Sequence, residues 1–199
     1  MKPIMRREFL KRLALVSVTA QALPGMAAEP ALSRAEGQRL LRQGRTALIL
    51  RHGLTEPGVG DPPGFTLNAC ATQRNLSAEG KRELGNIAIR NKQADVVFAR
   101  AYTSQWCRTR DTAALLAPAG VKVLDFPPLN SSFGDNVVVP DAREQILELL
   151  TALPAKQSWL LVTHQVNIAA LVGGSPAPGE GAVVRMGATG LLLLGWVRL

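Results

Sequence analysis

The chain has 199 residues, 47% of them hydrophobic and 19% charged, with a formal net charge of +8. That suits one globular domain with a sizeable core and is too apolar for a disordered chain. Outside the N-terminus no run approaches the roughly 20 apolar residues of a membrane-spanning helix, so the body of the protein is expected to stay off the membrane.

Residues 1–28 have the three parts of an export signal: a basic start, an apolar centre over 13–23, and small residues around 25–28. Within it RREFLK (6–11) resembles the twin-arginine signal of bacterial preproteins, with Met5 where Ser or Thr is usual. The expectation is export through the twin-arginine machinery to the periplasm, cleavage near Ala27 or Ala28, and a single mature domain over 29–199. A membrane anchor or a basic amphipathic helix is the alternative for this segment, although its apolar centre is too short to span. Cleavage removes five basic residues and one acid, leaving 18 basic and 14 acidic residues and a net charge of +4. That excess is small and dispersed, which argues against nucleic acid and for small anionic molecules.

After the signal, 33–43 predicts a short basic helix and TALIL (46–50) a strand buried on both faces, because its apolar run does not alternate. A long Gly/Pro-rich loop follows, and Ser77 then caps a helix running to about Asn91, with Gly80 weakening its first turn. Next come a strand at DVVFA (95–99), a helix over about 105–117 that Ser104 starts, and a strand at VKVLD (121–125). DARE (141–144) is read as a capping box opening a helix whose apolar face is Ile146, Leu149, Leu150 and Leu153. SWLLV (158–162) is a strand, NIAALV a short helix ended by Gly173 and Gly174, and two last apolar strands form an antiparallel pair at the sheet edge. The alternation of strands and helices predicts a three-layer α/β/α sandwich with a mostly parallel central sheet, whose ligands bind beyond the carboxyl ends of the strands.

The chain has two histidines, His52 and His164, and each follows a predicted strand by one or two residues. Both are therefore expected at the same end of the sheet, where converging polar groups mark a site. A third strand end carries AYTSQWCRTRDTA (101–113), so Arg51 and either Arg108 or Arg110 are candidates to flank one spot, where guanidinium groups grip phosphate oxygens at two points. Arg110 is the weaker candidate and is expected to pair with an acid at the surface. Cys70 and Cys107 suit a disulfide in an oxidising compartment, with two free thiols as the alternative.

These residues resemble the histidine phosphatase superfamily, also called phosphoglycerate-mutase-like. Arg51-His52-Gly53 matches its Arg-His-Gly; Ser104, Arg108, Thr112 and Ala113 match its Ser-x-x-x-Arg-x-x-x-Thr-Ala; Thr163-His164 matches its second histidine; and NLSAEGKREL (75–84) looks like its Leu-Ser-x-x-Gly helix entry. The resemblance covers 46–197. It implies the sandwich already inferred, His52 as nucleophile toward a small phosphorylated substrate, Arg51, Arg108 and His164 as phosphate ligands, and no metal or cofactor.

The acid that would protonate a leaving oxygen departs from the family pattern. Gln165 stands where one branch has Asp after the second histidine, and Ser131 where another has Glu. Asp135 and Glu56 are the candidate substitutes, with Glu180 more distant. The missing Glu, and the lack of an Asn after Thr55, count against a mutase. The expected activity is therefore a metal-independent phosphomonoesterase, and the alternative is a catalytically inactive phosphate- or sugar-phosphate-binding protein of the same fold. The segment 58–73 is expected to line or cover the pocket, and a Cys70–Cys107 bridge would pin it beside Arg108.

Overall fold

The computed structural model describes residues 30–134 and 139–199. The export signal and Asp135 lie outside them. The described strands form one six-stranded sheet: β1 (Thr46–Arg51), β2 (Arg100–Thr103), β3 (Val123–Asp125), β4 (Ser158–Thr163), β5 (Gly181–Gly187) and β6 (Gly190–Val197), in the spatial order β3-β2-β4-β1-β5-β6. The first four run parallel. β5 lies antiparallel to β1, and β6 closes the edge antiparallel to β5, as the final apolar runs predicted.

Helices cover both faces: α1 (Arg34–Gln43), α2 (Ala78–Gln93), α3 (Cys107–Leu116), α4 (Ala142–Thr151) and α5 (Gln165–Val172). No described helix is long and apolar enough to cross a membrane. Along β1, Leu48 and Leu50 enter one core with Leu41, Leu84 and Leu116, while Ala47 and Ile49 enter another with Ile146, Leu150 and Ile168. β4 divides in the same way, Leu160 and Val162 on one side and Trp159 and Leu161 on the other. A strand with a helical layer on each face has no solvent side, which is why TALIL and SWLLV are apolar without alternation.

The ends of the elements show where local signals were overridden. Ser33 and Glu36 close a full capping box on α1, and the Ser77 hydroxyl accepts from the Gly80 N–H. Gly80 serves packing: a Cβ there would lie 2.1 Å from the Leu54 carbonyl oxygen, so only glycine lets α2 begin against the loop after β1. The capping box expected at DARE does not form, because Asp141 adopts a left-handed conformation (φ 52°) with no side-chain cap. The second predicted strand is also displaced: 95–99 forms no strand, meeting the sheet through the Ala99 N–H and Ser158 C=O, and β2 starts at Arg100. Asp95, at φ 52°, turns the chain out of α2, and Val96 and Phe98 then fill the core on the approach to the sheet.

Candidate active site

β1 and β4 are neighbours in register, with Arg51 opposite Thr163. The next residue of each strand is a histidine, and the His52 N–H donates to the Thr163 C=O at 3.1 Å, one step past the ladder. The rings lie 5.4 Å apart between centroids, at 66° to each other, and both residues are 4% exposed. The two strand-end histidines thus converge at one end of the sheet.

His52 Nδ1 sits 2.9 Å from the Gly53 carbonyl oxygen. A carbonyl only accepts, so Nδ1 carries the proton and Nε2 keeps its lone pair. Burial above all, reinforced by the Arg108, Arg51 and Arg74 charges and opposed by the Gly53 bond, lowers the His52 pKa to about 3. Burial, then His52, Arg108 and Arg51, likewise push His164 well below its ordinary value. Both rings are neutral near pH 7. Gly53 is present for closeness: a Cβ would meet Leu84 Cδ1 at 2.7 Å.

The spacing Ser104, Arg108, Thr112 has three geometrical consequences. The Ser104 hydroxyl lies 2.8 Å from His164 Nε2 and fixes that ring. Arg108, on the first turn of α3, reaches the cavity beside both histidines. One turn later, the Thr112 hydroxyl accepts from the Gly53 N–H at 3.0 Å and donates to the Arg108 carbonyl at 2.7 Å. The start of α3 is Cys107, with Trp106 as N-cap, so Ser104 orients a histidine and does not open the helix.

These groups line a cavity of about 660 Å³ walled by the segment 58–65, by Arg74 and by residues from 131–134 and 164–166. Cys70 and Cys107 are bridged, with 5.6 Å between their Cα atoms. The Gln73 side chain accepts from the Cys107 N–H at 2.9 Å and donates to the Thr66 and Leu67 carbonyls. The loop after β1 is therefore pinned to the head of α3, beside Arg108. Among the described residues no group of three or more His, Cys, Asp and Glu side chains is placed to hold a metal ion.

No protein-family model and no curated protein matches the sequence. Solved structures do match the fold. The protein histidine phosphatase SixA, solved with tungstate, is 17% identical with a TM-score of 0.58, over 77% of this chain and 96% of that one. A mycobacterial glucosyl-3-phosphoglycerate phosphatase is 18% identical with a TM-score of 0.58, over 76% and 98%. An α-ribazole phosphatase from Shigella flexneri is 19% identical with a TM-score of 0.54, over 75% and 95%. The chain has the histidine phosphatase fold.

Within this histidine phosphatase fold, Arg51, His52, Arg108 and His164 share the cavity, as do Ser131 and Gln165, the two positions that lack an acid. Gln165 is bonded to Ser175. Arg110 points away and pairs with Asp125 on β3 at 2.6 Å. Glu56 is exposed and does not line the cavity. Glu180 is half-buried and accepts from the Ala177 N–H at 2.8 Å.

Two residues that the sequence did not single out enter instead. Asp61 is the one carboxylate among the described lining residues. Its oxygens accept from Arg108 Nη1 (2.7 Å) and Nη2 (3.2 Å), from Trp106 Nε1 (2.9 Å) and from the Arg74 N–H (3.0 Å). Burial alone would raise its pKa, but these bonds and the Arg108 charge outweigh burial and hold it below its ordinary value, so it is a carboxylate. Arg74 is the second addition. The available signal was weak: an acid inside the segment expected to face the pocket and a base one residue beyond it.

Proposed function

We propose that the chain is a metal-independent phosphoric monoester hydrolase working through a phosphohistidine on His52, in the periplasm once the segment 1–28 is removed. The observation that carries this reading is the Nδ1 contact of His52 with the Gly53 carbonyl. It gives a buried, neutral imidazole whose unprotonated Nε2 stands among guanidinium groups. The matched solved structures are phosphatases by name, which supports the same class of reaction.

In the first step His52 Nε2 attacks phosphorus in line, the N–P bond forms, and the ester P–O bond breaks with its electrons on the leaving oxygen. Arg51 and Arg108 hold the equatorial oxygens and balance the charge that develops there. With His164 Nε2 against Ser104, Nδ1 is the ring nitrogen left for a phosphoryl oxygen. In the second step water attacks the phosphohistidine, releases inorganic phosphate and restores the imidazole.

The leaving oxygen still needs a proton. Asp61 is saturated by four donors and ionised, which favours an activated leaving group, or the second reading: a protein that holds a phosphate or sugar phosphate without hydrolysing it. Hydrolysis of p-nitrophenyl phosphate decides between them. The native protein is expected to turn it over with chelator present and to carry acid-labile, alkali-stable phosphate on His52 after alkaline denaturation. His52→Ala is expected to keep the fold and lose both signals. A native protein that binds phosphate without either signal supports the binding reading.

A further inference from the structure

Three guanidinium groups converge on His52, and the mechanism above uses two. Arg74, carried by the segment that the disulfide pins, lines the same cavity as Arg51 and Arg108. Its placement is fixed at three points. The Arg74 N–H donates to Asp61 Oδ1 at 3.0 Å, its carbonyl accepts from Arg108 Nη1 at 3.3 Å, and its Nη1 donates to the Gly58 carbonyl at 2.7 Å. Its Nε is buried and has no hydrogen-bond partner among the described residues; the same holds for the Nε of Arg51 and of Arg108. The Nη2 of Arg74 has no hydrogen-bond partner among the described residues, which leaves that donor for an acceptor brought into the cavity.

Charge gives a second, independent reason. Asp61 is spent on Arg108, so the pair contributes nothing net, and both imidazoles are neutral. Arg51 alone would leave the cavity at +1. Arg74 raises it to +2, the match for a phosphomonoester, which carries about −1.5 to −2 at pH 7. Arg74 also crowds its neighbours: after burial, its charge is the next influence lowering the Arg51 pKa. Like charges held this close are stabilised by an anion between them.

We propose that Arg74 is a third phosphoryl-binding guanidinium, supplied by the loop after β1, which offsets the charge that Asp61 cancels and makes the site selective for dianionic phosphate. This rests on the phosphatase reading, since it assigns Arg74 to the group transferred to His52.

The test is calorimetric binding of inorganic phosphate to the disulfide-intact protein, with kcat and KM for p-nitrophenyl phosphate measured in parallel. Arg74→Gln is expected to weaken phosphate about ten- to a hundredfold, and Arg74→Lys, which keeps the charge, to recover most of that loss. Phosphate bound by Arg74→Gln within twofold of native overturns the proposal. So does an Arg74→Lys variant as weak as Arg74→Gln, the result for an arginine that only props the Gly58 loop. Should Arg74→Gln not fold, the native protein answers: its affinity should rise as phosphate passes from monoanion to dianion, and a flat dependence overturns the assignment. A native protein that binds no phosphate removes the phosphatase reading and this proposal together, whereas undiminished binding by Arg74→Gln removes the proposal alone.

Discussion

Asp61 and Arg108 form a two-point ion pair inside the cavity, at 2.7 and 3.2 Å, with side chains only 4% and 5% exposed. The acid comes from the loop after β1 and the base from the first turn of α3. A carboxylate so placed aims the guanidinium and fixes which of its donors remain for a substrate. Removing one partner of a buried pair strands the other charge, at a cost of about 3–5 kcal/mol. Asp61→Ala is expected to lower the urea midpoint accordingly and to reduce kcat/KM for p-nitrophenyl phosphate. An unchanged midpoint would show that the pair anchors nothing.

The Cys70–Cys107 bridge joins positions 37 apart in sequence, and a loop of that size is worth about 4 kcal/mol on the chain-entropy account. Cys70→Ser combined with Cys107→Ser should lose about 2–4 kcal/mol in urea unfolding. Because the bridge pins the segment carrying Asp61 and Arg74, KM should also rise. Loss of stability with native KM would mean that Gln73 alone holds the loop in place.

The Ser104 hydroxyl, itself fully buried, is the sole side chain bonded to His164 Nε2 among the described residues. Ser104→Ala leaves the charge of the site intact and frees the ring to turn. A misplaced ligand to the transition state costs roughly tenfold to a hundredfold, so kcat should fall by that amount with little change in thermal stability. A kcat within twofold of native would remove Ser104 from the orientation of His164.

With its pKa at about 3, the His52 ring proposed as nucleophile is unprotonated throughout the ordinary working range. The acid limb of the rate profile should therefore follow the second ionisation of the substrate, about 6 for a phosphomonoester, and move when that ionisation is changed. A limb fixed near pH 6.5 for every substrate would place the titration on the enzyme. For stability, the depressed pKa means that the unfolded chain binds a proton which the folded chain refuses between pH 6.5 and about 3, so stability falls as pH falls through that window. His52→Asn should make that decline shallower in urea unfolding measured from pH 7 to pH 4. Parallel curves would contradict a buried neutral His52.

The strand-end histidines were legible because the evidence was local: an apolar run that does not alternate, followed at once by a polar residue. The same logic failed at DVVFA, where Asp95 turns, Ala99 bends and the ladder begins only at Arg100. It failed at DARE, where the left-handed Asp141 turns a plausible cap away. Gly80 read as a weakness because propensity is counted residue by residue, while its reason, the Leu54 carbonyl, lies 26 positions back in the chain.

By itself the sequence determined the layered α/β architecture and the end of the sheet at which Arg51, His52 and His164 gather, since each lies within or just beyond its own strand; position left Arg108 and Arg110 both open, and the family resemblance favoured Arg108. Only the tertiary structure decided which charges meet there. Asp61 and Arg74 sit in a Gly/Pro-rich loop without a periodic pattern, and their roles depend on where the disulfide and Gln73 fold that loop onto α3. Electrostatic partnership depends on distance in space, and a loop whose path is set by a covalent bridge and long-range hydrogen bonds does not encode that distance in its local sequence.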